Sequence, residues 1–296
     1  MSLEGESVRI DLPWEGGSVV RSYAPQNGLT RPKLSKKEIP VEGTQAVDLA
    51  VPHNVVLYYR AVGPRGTILH ARLPVPNKAL PPLANPRLEV DKANYTLAVI
   101  DGSKTQKRYP IALGRNHVNR KYCQDMASTP EGAYTIYNLQ PNATYHKALD
   151  VDYPRQVDRV RHSLAIEFDI IEAERPIGGE IQIHGWGIRY DWTAGCMALR
   201  DEDMDELFAN PGIAAGIPVF IAGFQLRPED RPWILEPPAD KVAAVQRKLA
   251  ASGFYHGAID GQFGVGTAEA LGRYQKTKGM DWSCQLDGPT RKHFGL

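Results

Sequence analysis

The sequence predicts a mainly β protein that ends in a small all-helical domain, and two changes of pattern carry that prediction. From residue 8 to residue 221, apolar residues recur at alternate positions in short runs broken by Gly, Pro and Asp-Gly, as half-buried strands require. After residue 238 the period becomes helical, with Val242, Val245 and Leu249 at i, i+3 and i+7. Proline-rich stretches then divide the chain into a β-rich N-terminal appendage (1–85), a central β domain (86–222), a linker (223–238) and a three-helix domain (239–296). The central domain is expected to be a mixed-strand β-sandwich with a few helices.

In order, Val8–Leu12 and Val47–Val51 alternate cleanly as strands, and Val55–Tyr59 and Ile68–Leu73 less so. Arg31 to Lys37 reads as a solvated loop, with Lys36 and Lys37 pointing to water. The appendage is either a small β unit or an extended arm, and it carries no functional motif. Residues 74–86 hold five prolines and form a stiff connector. Tyr95–Ile100, Asp101-Gly102 and Lys107–Leu113 read as a hairpin. A polar loop covers 115–128, and Thr129-Pro130-Glu131-Gly132 is turn chemistry before a strand at Ala133–Leu139. Ser163–Ile171 fits helix or strand, and periodicity does not choose. Pro218–Ile221 is the last strand of the central domain. In the helical domain, Gly253 ends the first helix, Thr267 is read as the N-cap of the second, and Leu286-Asp287-Gly288 opens a third.

Composition excludes several functions. The chain has 296 residues, 42% of them hydrophobic and 23% charged, so a packed core is feasible. A formal net charge of +1 offers nothing for nucleic acid or an anionic membrane. No apolar run has transmembrane length. There is no Cys-x-x-Cys and no His-x-x-x-His, so no metal is expected, and no organic cofactor is implied. The three cysteines, Cys123, Cys196 and Cys284, leave one unpaired at least, and Cys123 and Cys284 fall in different domains.

Chemistry concentrates in residues 181–207. Ile181-Gln182-Ile183 is a short strand that delivers His184. A Gly-rich loop delivers Cys196, and an acidic helix start follows at Asp201. A His and a Cys on neighbouring elements let the imidazole accept the thiol proton, and only the thiolate attacks a carbonyl well. Gly195 before the nucleophile, with Ala194, lets backbone N–H groups approach an oxyanion. Gly185 allows the same close approach beside His184. A third group should orient the imidazole; a backbone carbonyl near Gly185 is expected, with Asp191 as the alternative.

These residues resemble the L,D-transpeptidase (YkuD-type) catalytic domain of bacterial cell walls. His184-Gly185 and Thr193-Ala194-Gly195-Cys196-Met197 match its signature. Thr129-Pro130-Glu131-Gly132-Ala133-Tyr134, Tyr109-Pro110-Ile111-Ala112-Leu113-Gly114, Tyr145-His146-Lys147-Ala148-Leu149 and Asp152-Tyr153-Pro154 also sit in family order. The chain departs from the common pattern at Ala194 and Ala198, where many members carry His or Arg and then Arg. Its His-to-Cys separation of twelve residues is also short. Residues 239–296 resemble the three-helix peptidoglycan-binding domain, through Val245-Gln246, Leu249, Gly253, Ile259-Asp260-Gly261-Gln262-Phe263-Gly264, Thr267, Ala270-Leu271, Tyr274-Gln275 and Leu286-Asp287-Gly288.

The resemblance implies acyl transfer on peptidoglycan stem peptides through a Cys196 thioester, with His184 as base. The acceptor is an amine for cross-linking or water for hydrolysis. A same-fold hydrolase and a non-catalytic wall-binding protein are the alternatives. Tyr145, His146, Asp191, Trp192, Thr193 and Arg200 are candidates to line the substrate cleft, and Asp260, Gly261 and Phe263 to serve glycan binding. The expected partners are peptidoglycan peptides and glycan, met by a monomer in the periplasm or cell envelope. Met1 to Glu6 shows no basic or apolar leader, so an export signal is expected outside this sequence.

Overall fold

Leu97-Ala98-Val99-Ile100 offers no polar face to solvent, and all four residues are buried inside a sheet. The computed structural model describes residues 1–25, 37–223 and 226–296. Arg31 to Lys36 of the proposed loop lie outside the described residues.

The N-terminal residues form two four-stranded antiparallel sheets rather than an extended arm. Their strands are β1 (Ser2–Glu4), β2 (Ser7–Asp11), β3 (Ser18–Pro25), β4 (Lys37–Ile39), β5 (Val41–Glu42), β6 (Gln45–Leu49), β7 (Val55–Val62) and β8 (Ile68–Val75). One sheet has the order β1-β2-β6-β5, the other β4-β3-β7-β8. Lys37 is not a solvated loop residue. It opens β4, and its Nζ lies 3.0 Å from Asp48, which is fully buried and also holds Arg21 and the Tyr59 hydroxyl. Arg21 reaches on to the Asn94 carbonyl, and Arg108 pairs with Glu6. Both contacts fasten these sheets to the central domain.

The central domain builds one eight-stranded mixed sheet. Its strands are β9 (Pro86–Asp91), β10 (Thr96–Asp101), β11 (Lys104–Pro110), β12 (Gly132–Ala143), β13 (His146–Val151), β14 (Gln182–His184), β15 (Met197–Ala198) and β16 (Pro218–Ala222). The order is β11-β10-β9-β16-β12-β13-β14-β15. The long β12 serves both halves: Gly132–Thr135 pairs with β16, and residues from Ile136 onward pair with β13. Ala112, just past β11, exchanges two backbone hydrogen bonds with Ala198 of β15, so the ends of the sheet meet. The expected hairpin forms, but β11 starts at Lys104, directly after the turn at Gly102.

Helix α1 (Gln156–Glu167) settles the ambiguous stretch as helix up to Glu167, and α2 (Asp201–Ala209) opens with three acidic residues that complement its dipole. The linker is folded: after a short turn of 3₁₀ helix, α3 (Arg231–Leu235) carries Ile234 against Phe220 and Trp233 against the helical domain. Helices α4 (Ala239–Ala251), α5 (Val265–Thr277) and α6 (Gly288–Phe294) enclose Val242, Val245, Leu249, Leu271 and Leu286. Gly264, not Thr267, precedes α5. Thr267 sits inside its first turn, buried, and its hydroxyl meets the Gln262 carbonyl.

The helical domain docks on α1. Arg161 is fully buried and donates to the Ser283 carbonyl, the Gln285 side chain and the Glu131 carbonyl. Tyr122 stacks on Trp282 with ring centroids 4.6 Å apart. Arg120 grips Asp281 with both terminal nitrogens, at 3.1 and 2.8 Å. Among the described residues, no helix is long and apolar enough to cross a membrane.

Candidate active site

Strands β14 and β15 bring the two chemical residues together because they pair in parallel, Ile183 opposite Met197 and His184 opposite Ala198. That register sets Cys196 beside Gln182, on the side of the pleat that His184 also takes two residues later. His184 is 1% exposed. Its Nδ1 lies 2.8 Å from the Gly185 carbonyl, so a backbone carbonyl does orient the ring. With Nδ1 the protonated nitrogen, Nε2 is the lone-pair site.

Burial pushes the His184 imidazole below its usual pKa, against a smaller upward pull from the Gly185 carbonyl. Burial likewise pushes the Cys196 thiol up, against a backbone hydrogen bond from Gln182. The resting pair is therefore neutral thiol and neutral imidazole, which differs from the thiolate–imidazolium pair that the two residue types alone suggest. Cys196 Sγ donates to the Glu180 carbonyl at 3.5 Å.

The loop before Cys196 is locked from inside. The Thr193 hydroxyl donates to the Cys196 carbonyl (2.8 Å) and accepts from the Gly195 N–H (3.1 Å). Thr193 is thus a buried brace and not a cleft-lining residue, and the Gly195 N–H is already engaged. Gly195 has φ +141°, and a Cβ there would stand 2.7 Å from the Ser128 carbonyl oxygen. No other residue fits that position. Gly185 is equally tight: a Cβ would meet Asp201 Oδ1 at 2.6 Å. Ala194 is exposed on the rim.

Two further candidates take other roles. Arg200 is buried, with Nε 2.6 Å from Asp203 and Nη1 on the Asn54 carbonyl, so it ties α2 to the N-terminal sheets rather than facing a cleft. Asp191 does not orient His184. It accepts from the Leu113 N–H at 2.8 Å and pairs with His117 at 3.2 Å, which holds the loop before Cys196 to residues 113–117. His146 binds Asp205 through Nε2 at 2.6 Å and is about one-third exposed.

Tyr145 and Trp192 do flank His184, with rings 5.0 and 5.4 Å from its imidazole. Trp186, which the sequence reading passed over, completes the group at 5.2 Å from Tyr145 and 5.5 Å from Trp192. It is 65% exposed and holds φ +79°, while Asp201 accepts from its N–H. A Trp directly after the His-Gly pair was the available signal. His146 and Glu180 also hold positive φ, so unusual backbone clusters here as it does at functional sites.

In the helical domain, Asp260 accepts from Gln246 and from the Gln262 N–H, and the Gly261 N–H donates to Gln246 Oε1. Phe263 packs against the core of the domain. These three residues shape the loop from within. Cys123 and Cys284 are both free and buried.

Residues 85–221 match the family model of the L,D-transpeptidase catalytic domain, and residues 238–292 match that of a peptidoglycan binding domain. No curated protein matches the sequence. Among solved structures, an L,D-transpeptidase from Xylanimonas cellulosilytica is 14% identical over 50% of this chain and 64% of its own, with a TM-score of 0.33. One from Stackebrandtia nassauensis is 14% identical over 47% and 56%, at 0.31. L,D-transpeptidase 1 of Mycobacterium tuberculosis is 12% identical over 72% and 96%, at 0.30. The chain thus spans less than two thirds of the first two.

Proposed function

From an L,D-transpeptidase catalytic domain followed by a peptidoglycan-binding domain, we propose that this protein transfers acyl groups on peptidoglycan stem peptides through a Cys196 thioester. The observation that carries the reading is the parallel β14–β15 register, with His184 fixed by the Gly185 carbonyl and Cys196 at the end of a loop that only glycine can close.

The neutral pair reacts in concert with substrate. Cys196 Sγ attacks the stem carbonyl as its proton passes to His184 Nε2. The tetrahedral oxyanion needs backbone donors. With the Gly195 N–H held by Thr193, that task falls to the Cys196 N–H and the exposed backbone at Ala194. His184 then protonates the leaving amine, and the thioester forms. An acceptor amine or water, deprotonated by His184, resolves it. Tyr145, Trp186 and Trp192 form the aromatic wall over which the donor or acceptor lies. The helical domain keeps the enzyme on its polymer, which implies a location outside the cytoplasm.

The test is incubation with purified disaccharide-tetrapeptide, with products and protein weighed by mass spectrometry. Cross-linked dimers from wild type but not from Cys196→Ala support transpeptidation. Tripeptide without dimer converts the reading to a hydrolase. No product and no Cys196 adduct overturns it.

A further inference from the structure

The peptide group between Gly185 and Trp186 is engaged on both edges. A trans peptide points its C=O and its N–H in opposite directions within one plane. The Gly185 carbonyl turns back to His184, whose Nδ1 lies 2.8 Å away. The Trp186 N–H therefore turns the other way, where Asp201 Oδ1 accepts it at 2.6 Å. Asp201 opens α2 and is exposed, and the adjacent Arg200 directs its guanidinium to Asp203 and Glu202 instead. Imidazole, peptide and carboxylate thus lie in series.

The backbone on either side of this peptide is pinned. The Gly185 N–H donates to the Tyr145 and Lys147 carbonyls at 3.1 and 3.2 Å, and the Gly187 N–H to the Leu199 carbonyl at 2.8 Å. What remains is a half-turn of the one peptide about the line joining its two Cα atoms, which glycine at 185 permits. Trp186 would gain by it. Its φ of +79° is unfavourable for so large a side chain, and the half-turn carries φ to about −100°, inside the allowed region. The half-turn would also press the Gly185 carbonyl against the Asp201 carboxylate, acceptor on acceptor, and set an N–H before His184 Nδ1. The imidazole would then carry its proton on Nε2, where it could not take the proton of Cys196. Strained backbone persists where its surroundings over-determine it, and the Asp201 carboxylate is the group here that opposes the half-turn.

We propose that Asp201 is a positioning residue for the base: its carboxylate holds the Gly185–Trp186 peptide in the strained orientation that keeps the His184 proton on Nδ1 and leaves Nε2 open. It does through one peptide what a carboxylate in direct contact with the ring does in a Ser-His-Asp triad. Hydrogen bonds in series also polarise one another, so the carboxylate makes the Gly185 carbonyl a better partner for the imidazolium that forms when the thiol proton arrives. The proposal rests on His184 serving Cys196 as base, but its test reads the ring directly.

That test is nitrogen NMR of the full chain labelled in its histidine rings, at about pH 8, above the ordinary histidine pKa. The His184 signals are those lost in His184→Gln, and their two shifts give the tautomer. Wild type is expected to hold Nδ1–H. In Asp201→Ala, and in the isosteric Asp201→Asn whose amide can serve either orientation, Nε2–H should become the majority form. On disaccharide-tetrapeptide, kcat should fall about tenfold, a shift that the strain of one positive φ can produce, with KM near wild type because the half-turn leaves both Cα atoms in place. Adding Trp186→Gly to Asp201→Ala should return a large share of Nδ1–H, since glycine takes positive φ freely. A merely structural role would lower the melting point and leave the tautomer alone. Nε2–H in wild type, an unchanged tautomer in the Asp201 variants, or no return with Trp186→Gly overturns the proposal. Either Asp201 variant serves if the other does not fold. The expected tautomers in a wild type that turns over no substrate would instead remove the proposed function and leave this assignment standing.

Discussion

Gly272 lies in the middle of α5, where replacing glycine by alanine should stabilise a helix by about 1 kcal/mol. Here the opposite is expected. A Cβ at 272 would stand 2.5 Å from Leu164 Cδ1 on α1 and 2.7 Å from Cys284 Sγ. Both partners are almost fully buried, at 1% and 0% exposure, so neither can simply turn outward. Overpacking of this kind costs about 1–3 kcal/mol, and two contacts this short belong in the upper part of that range. Subtracting the helical gain leaves Gly272→Ala destabilised by about 1–2 kcal/mol, or a melting temperature lower by about 2–8 °C. Gly266→Ala in the same helix is the control. Its nearest neighbour would be Tyr255 Cε2 at 3.8 Å, an ordinary contact, so it should gain stability or hold it. The double variant Gly272→Ala/Leu164→Ala should lose less than the sum of the two single changes, because the smaller residue makes room for the methyl. Melting curves of the wild type, the three single variants and the double variant decide the matter. A Gly272→Ala protein as stable as wild type would refute the close α1–α5 docking and, with it, the helical domain's hold on residues 120–122.

Three further outcomes are expected. Asp48→Ala strips the fully buried Arg21 of its carboxylate and should cost about 3–5 kcal/mol in a denaturant titration; a loss under 1 kcal/mol would contradict the burial. Because burial lowers the His184 pKa, the acid limb of kcat/KM on a soluble tetrapeptide should lie below pH 6.5, the ordinary histidine value. The stability sign follows: the unfolded chain takes up the proton first, so this residue's contribution falls as pH drops below 6.5 and levels once the folded pKa is passed. An acid limb at or above 6.5 would sink that account. Trp186→Ala removes a side chain that is mostly solvated, so the melting point should stay within the range of about 0.5 kcal/mol while KM for a muropeptide rises. An unchanged KM would take Trp186 out of the substrate surface.

The strands and the last three helices were legible because their apolar periods are clean; Val242, Val245 and Leu249 are all fully buried as the spacing demands. Helix α1 was not, because it buries polar residues alongside Val160, Leu164 and Ala165. Asp158 and Arg161 are buried on the face that meets Tyr134 and the helical domain, which erases the amphipathic signature. At the site, the orienting carbonyl was legible by elimination of carboxylates. Thr193 was misjudged because a hydroxyl beside a nucleophile reads equally as a substrate contact or a loop brace until its partners are known.

Arg200 shows how far the N-terminal sheets reach toward His184. It stands two residues beyond β15 and caps the entry to α2, and its guanidinium bridges Asp203 to the carbonyl of Asn54, which leads into β7. The Leu199 N–H donates to the His184 carbonyl one residue earlier. The strand end that carries His184, the helix behind it and the N-terminal sheets are therefore joined within two residues of sequence. On the opposite side, Arg120 and Tyr122 join residues 115–128, the other wall around Cys196, to the helical domain. The two flanking regions thus each hold a segment that borders His184 or Cys196. A fixed slot suits a neutral thiol and imidazole, because a pair without a standing ionic attraction depends on the scaffold for its alignment.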